Sequence, residues 1–263
     1  MLVPGWFEQG IYIPLIGIGG THKSRLVLQT ALCLLHQRHP LRPAVPLDPE
    51  QRKQVSHICL LSYENSKDEN QRRIANMKAR LRFEEVERSS TGLDIWELRD
   101  ARTPLLHVGE RDVKLTAFGY RLLTSLEKIK GHKVLLLDSF FNALAFTGRT
   151  KVMDDCAGYV VETLDYWCSL LDMTIISPFH PSRAGASRGD IGYSPAFSDR
   201  ARQAVGIRKI EPKKKGEVVP ADLYELYIDK WNNGRSGKRI MLRYDAGALI
   251  ETTGDVGTIV VGG

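Results

Sequence analysis

This 263-residue chain is poor in long apolar runs, in cysteine and, over most of its length, in charge of one sign. Its apolar stretches, such as Val134–Leu137 and Ile259–Val261, fall far short of the ~20 residues that span a bilayer. No membrane partner is therefore expected. The opening MLVPGWFEQG has no cationic start leading into an apolar core, so no secretory signal is read there and the expected compartment is the cytoplasm. The four cysteines, Cys33, Cys59, Cys156 and Cys168, show no CxxC spacing and no histidine at zinc-finger spacing. They read as reduced thiols packed as small hydrophobes, with no metal cage. No internal repeat or low-complexity tract occurs. Hydrophobic residues at 43% and charged residues at 26% exclude a disordered chain, and the length fits a single domain over 1–263.

The formal net charge is +6, and its placement says more than its size. From Arg200 to Arg243 there are 12 Lys/Arg against 5 Asp/Glu, and the remainder is close to neutral. A basic segment joined to a neutral body fits a nucleic-acid surface, although a solvated charged face gives the same count.

Hydrophobic periodicity predicts alternation. Ile11–Gly17 reads as a buried strand and Lys23–Gln37 as a helix, with Leu26, Val27, Ala31, Leu34 and Leu35 at spacings of three to four. Prolines recur through 40–54, forbid helix and predict an extended surface loop. His57–Ser62 is a strand, followed by Ser66 and Glu69 at capping-box spacing and a helix to Leu81. Short strands follow at Asp94–Leu98 and Leu105–Val108. A helix at Ala117–Lys128, a strand at Val134–Leu137, a helix at Asp154–Leu171 and a strand at Thr174–Ser177 complete the alternation. This predicts an α/β fold with a mainly parallel sheet and helices on both faces. Over 203–250 the pattern shortens to Gln203–Ile210, Leu223–Lys230 and Arg239–Tyr244, read as antiparallel hairpins on one edge.

The sharpest motif is Gly17-Ile-Gly19-Gly20-Thr21-His22-Lys23-Ser24, between a predicted strand and a predicted helix. In a P-loop, consecutive backbone N–H groups and the helix N-terminus wrap phosphates, Lys reaches the β/γ oxygens and Ser holds Mg²⁺. The motif asks for glycine before the lysine. His22 stands there, where positive φ is costly and a side chain crowds the phosphates. Asp138 ends a buried strand, as a Walker B carboxylate does, and Glu64 follows another, placed to deprotonate water aimed at a γ-phosphate. Glu69 is assigned only the helix cap. Arg183 and Arg188 fall in a Gly/Ser/Pro-rich stretch, 181–197, that reads as a DNA-backbone loop. Lys213, Lys214 and Lys215 read either as a second DNA contact or as an edge guard against strand pairing.

Taken in order, Gly17–Ser24, Glu64-Asn65-Ser66, Asp138, the run Ile175 to Gly185 and the run Ser194 to Arg202 resemble the RecA-like ATPases of the plasmid RepA type. These are hexameric replicative helicases related to the DnaB motor domain, and the resemblance spans roughly residues 4 to 250. It implies a RecA-like P-loop fold, ATP and Mg²⁺ as ligands, single-stranded DNA as partner, a homo-hexameric ring and separate initiator or primase proteins. It makes Lys23 and Ser24 the phosphate and Mg²⁺ contacts, Glu64 the catalytic base and Asp138 the Walker B acid. His180 becomes the γ-phosphate sensor and Arg202 an arginine finger for the neighbouring subunit. On the residues alone, His180 also fits a histidine at a strand end and Arg202 a surface ion pair. The chain departs from the family with Phe179 before His180, Arg183 for lysine and His22 for glycine. Two further functions stay open: a DNA-binding accessory ATPase that switches assembly without unwinding, and a degenerate nucleotide-binding scaffold.

Overall fold

In a computed structural model of the chain, the apolar runs and amphipathic segments among the described residues fold as sixteen strands and five α-helices. It describes residues 1–48, 50, 54–83, 92–101, 103–109, 112–146, 152–179, 195–212, 217–252 and 259–260. The strands are β1 (Tyr12–Ile16), β2 (Arg38–His39), β3 (Arg42–Pro46), β4 (Val55–Ser62), β5 (Gly92–Glu97), β6 (Leu106–Val108), β7 (Val113–Leu115) and β8 (His132–Asp138). They continue with β9 (Leu144–Phe146), β10 (Met173–Phe179), β11 (Gln203–Lys209), β12 (Glu217–Val218), β13 (Leu223–Trp231), β14 (Arg239–Asp245), β15 (Ala248–Glu251) and β16 (Ile259–Val260). The helices are α1 (Lys23–Leu35), α2 (Lys67–Leu81), α3 (Ala117–Glu127), α4 (Val152–Leu170) and α5 (Pro195–Arg200).

Nine strands form the central sheet in the order β15-β14-β13-β11-β1-β10-β8-β4-β5. From β11 to β5 all neighbours are parallel, and β13, β14 and β15 extend the other side antiparallel. The central strands β1, β10 and β8 are buried along their whole length and mostly apolar, because both faces are covered. Tyr12, Ile16, Leu135, Leu137 and Ile175 face a core closed by α3 and α4. Ile13, Leu15, Val134, Leu136 and Ile176 face the core under α1 and the N-terminal segment. Among the described residues no helix is long and apolar enough to cross a membrane.

Two expectations are corrected. The proline-rich stretch is extended, as its composition demands, but it pairs: β2 and β3 form an antiparallel hairpin, Leu41 and Leu47 are buried, and Arg42 holds Glu251 at 2.6 Å. Proline removes a ladder donor yet suits an edge strand, so the prolines that forbid helix do not forbid pairing. The segment 203–250 is not wholly an antiparallel edge. β11 lies inside the sheet, parallel to β1 with Leu15 opposite Val205 and Ile16 opposite Gly206. The short helix α5 directly before it serves the end of a parallel crossover, and Gln203–Ile207 is buried throughout.

A buried polar side chain finishes the sheet. Gln29 of α1 donates to the carbonyls of Pro40 (2.6 Å) and Leu249 (2.7 Å) and accepts from Leu249 N–H (2.8 Å), so it satisfies the outer side of β15.

Candidate functional site

The carboxyl ends of parallel strands are where open α/β sheets build sites, and β1, β10, β8 and β4 bring theirs together. β1 ends at Ile16, opposite Phe179 of β10, and the Gly17 N–H donates to the Phe179 carbonyl at 3.3 Å. Gly17 has to be glycine, since a Cβ there would sit 2.4 Å from the Ile207 carbonyl oxygen. Gly20 carries φ +80°, which glycine adopts freely. The Thr21 hydroxyl donates to the Ile18 carbonyl at 2.8 Å and closes the turn onto α1.

Lys23 is only 3% exposed. Its Nζ donates to the carbonyls of Gly17 (2.6 Å) and Ile18 (2.8 Å), so the ammonium lies inside the loop. Burial pulls its pKa down to about 8, against the opposing fields of Glu64 and Asp138. That opposition places both carboxylates within electrostatic reach of the lysine.

One strand, β10, separates the P-loop strand from β8, and the contact is made across it. The Ser24 hydroxyl donates to Asp138 Oδ1 at 2.7 Å, and the Asn65 amide donates to Asp138 Oδ2 at 3.0 Å. Ser62 of β4 is in register with Asp138, and Tyr63 N–H donates to the Asp138 carbonyl at 2.6 Å. This pairing carries Glu64 to the same sheet end, where it is exposed to solvent. Glu69 stays with α2, as read: its N–H donates to Ser66 Oγ at 3.3 Å and its carboxylate pairs with Arg73.

His22 packs on the β13–β14 hairpin. It takes φ 62° and ψ 24°, and its ring stacks on Tyr244 of β14 at 4.1 Å and 16°, with Tyr224 of β13 edge-on at 5.1 Å. A side chain in this left-handed region costs on the order of 1–2 kcal/mol, and an aromatic pair returns about 0.5–1.5 kcal/mol. Burial, then Arg25, Arg73 and Lys209, pull the imidazole down to about 4, so it is neutral at neutral pH. The P-loop thus has cations near it besides Lys23.

Arg202 lies at the other end of the sheet. It is four residues before Gly206, which is level with the end of β1, a separation of roughly 13 Å along the strand. Its side chain is 56% exposed and its Nε stands 3.7 Å from Asp165 Oδ2. The ion-pair reading therefore has a partner. His180, Arg183, Arg188, Lys213, Lys214 and Lys215 lie outside the described residues.

Sequence reasoning assigned no role to Asn65, Tyr224, Tyr244, Arg25 or Lys209. Asn65 stood directly after Glu64 and carried that signal. The tyrosines are some 200 residues from His22 and meet it only through the sheet order.

A model of the AAA_25 family, described as AAA domain, matches residues 1–186. Among solved structures the chain is similar to the ATPase domain of G40P, with a TM-score of 0.60 and 12% identity over 94% of this chain and 86% of that one. The RadB recombinase gives a TM-score of 0.51 and 15% identity over 94% and 92%. A DnaB-like replicative helicase, solved with attention to its interactions with primase, gives 0.57 and 12% over 93% of this chain and 59% of that one. At these identities the likeness shows a shared RecA-like fold. No curated protein sequence matches the chain. The family match takes in β1 to β10, the span that contains Lys23, Ser24, Glu64 and Asp138, and on that span the chain belongs to the AAA_25 family of AAA-type P-loop ATPase domains.

Proposed function

We propose that the chain binds and hydrolyses ATP with Mg²⁺ and spends the hydrolysis on movement along single-stranded DNA, as a hexameric ring helicase in plasmid, phage or mobile-element replication. The observation that carries this reading is the hydrogen bond from Ser24 to Asp138, which joins the P-loop to the end of β8 across the intervening strand. A hydroxyl and a carboxylate are hard oxygen donors, the set that Mg²⁺ takes alongside waters and phosphate oxygens. Bound there, the ion neutralises phosphate charge. Lys23 exchanges its loop carbonyls for phosphate oxygens, and Glu64 accepts the proton of the attacking water. Asn65 holds the Asp138 carboxylate in place.

Arg202 is too far down its own sheet to serve its own loop, which favours delivery to a neighbouring subunit once its pair with Asp165 opens. In the same reading His180 follows the γ-phosphate, while Arg183, Arg188, Lys213, Lys214 and Lys215 meet the DNA backbone. The likeness to DnaB-like and recombinase folds supports a DNA motor, and a separate primase or initiator is its expected partner. Against the scaffold alternative stands the His22 ring, which is stacked on Tyr244.

Nucleotide binding, ATPase activity with and without single-stranded DNA, and strand separation test the reading together, with Lys23→Ala as control. DNA-stimulated turnover with unwinding, abolished in Lys23→Ala, is expected. Stimulation without unwinding makes the protein an accessory ATPase, and binding without turnover makes it a scaffold.

A further inference from the structure

We propose that His22 is a positioning residue that keys the phosphate loop to the β13–β14 hairpin, so that nucleotide in the loop is felt by the antiparallel part of the sheet. The inference rests on the nucleotide site proposed above. A glycine before the P-loop lysine has no side chain and touches nothing. Here the position carries a ring that lies flat on Tyr244 and has the edge of Tyr224 against it. These tyrosines sit on neighbouring strands and close to one register step, since Tyr224 pairs with Leu242, two residues before Tyr244. The hairpin is tied further, with Tyr244 N–H donating to the Asp222 carbonyl at 2.8 Å.

The loop end of this linkage has to move. Lys23 donates to the carbonyls of Gly17 and Ile18 and to Thr21 Oγ1 at 3.5 Å, so its three N–H groups are engaged, and it reaches a phosphate only by giving up at least one of these contacts. His22 adjoins Lys23 and starts α1, with its carbonyl accepting from Leu26 N–H at 2.9 Å. Any rearrangement between Gly17 and Lys23 therefore turns the backbone from which the ring projects. Because the ring is packed, the displacement passes to β13 and β14 instead of being lost in solvent. A ligand shifts such an element only by its differential interaction with the two arrangements, and a single aromatic pair limits that to a factor of roughly 2 to 12.

The test is hydrogen exchange of β13 and β14, with and without MgADP, and MgADP affinity measured on the same samples by calorimetry. In the unaltered protein MgADP is expected to slow exchange of the Arg239–Asp245 segment by roughly 2- to 12-fold. His22→Gly and His22→Asn, both tolerant of positive φ, should still bind MgADP and lose that response. Tyr244→Phe, which keeps the ring, should retain it, whereas Tyr244→Leu should not. A purely structural role would lower stability in Tyr244→Leu without removing the nucleotide response. Binding of MgADP that leaves β13–β14 exchange unchanged in the unaltered protein overturns the inference alone, as does a full response in both His22 variants. Absence of MgADP binding overturns the nucleotide site itself, and the inference with it.

Discussion

Lys23 is a buried ammonium whose charge is met by two backbone carbonyls and two nearby carboxylates, and its titration follows from that setting. Burial takes its pKa from 10.5 to about 8. Between those values the unfolded chain holds the proton and the folded one does not, so this group's contribution to stability rises with pH across the window. Phosphate binding favours the ammonium and reverses the preference. ATP affinity should therefore fall as pH rises through about 8, with proton uptake on binding. Calorimetry in buffers of different ionisation heat measures both, and constant affinity from pH ~7 to ~9.5 would sink the phosphate role of Lys23. Glu64→Gln keeps the shape and removes the basicity, so Mg-ATP should bind nearly normally while turnover falls roughly 10²- to 10⁴-fold. Wild-type turnover would move the base elsewhere. The sequence showed these residues because each sits next to a strand end or a glycine, where local pattern reveals position. It hid the fate of His22, since a positive φ at that residue is made tolerable by two tyrosines that only the sheet brings near.

Elements were legible where their burial is simple. α2 runs Lys67–Leu81 under a Ser66 cap, and β8 ends at Asp138, as the pattern predicts. The proline-rich stretch misled because polyproline and strand backbones are nearly the same locally, and pairing depends on what lies alongside. What lies alongside is α1 and β15, joined through Gln29. Gln29→Leu fits the space and satisfies none of the three backbone groups, the carbonyls of Pro40 and Leu249 and the N–H of Leu249. It should cost at least roughly 1–3 kcal/mol, the penalty of a single buried unsatisfied group. Denaturant unfolding checks this, and a loss within error would mean that water reaches the outer side of β15.

At the scale of the whole molecule, strand alternation showed the parallel sheet and its helices on both faces. It did not show that β11 lies beside β1, because strand order is set by long-range packing and not by any local period. That neighbour relation decides where Arg202 stands. If Arg202 acts in a neighbouring subunit, Arg202→Ala should bind ATP and hydrolyse it 10³- to 10⁵-fold more slowly, roughly the worth of a finger supplied in trans. Mixing it with Lys23→Ala subunits should restore part of the activity. Mixed rings that stay inactive, or a fully active monomer, would place the missing cation elsewhere. β11 holds Lys209 near the P-loop at one end and follows directly on Arg202 at the other. In a ring it becomes a strut between two successive catalytic centres, with a length set by the pleat of a seven-residue strand, roughly 23 Å. On that reading the interval between one firing site and the next is fixed by a strand paired on both sides, with β1 and with β13.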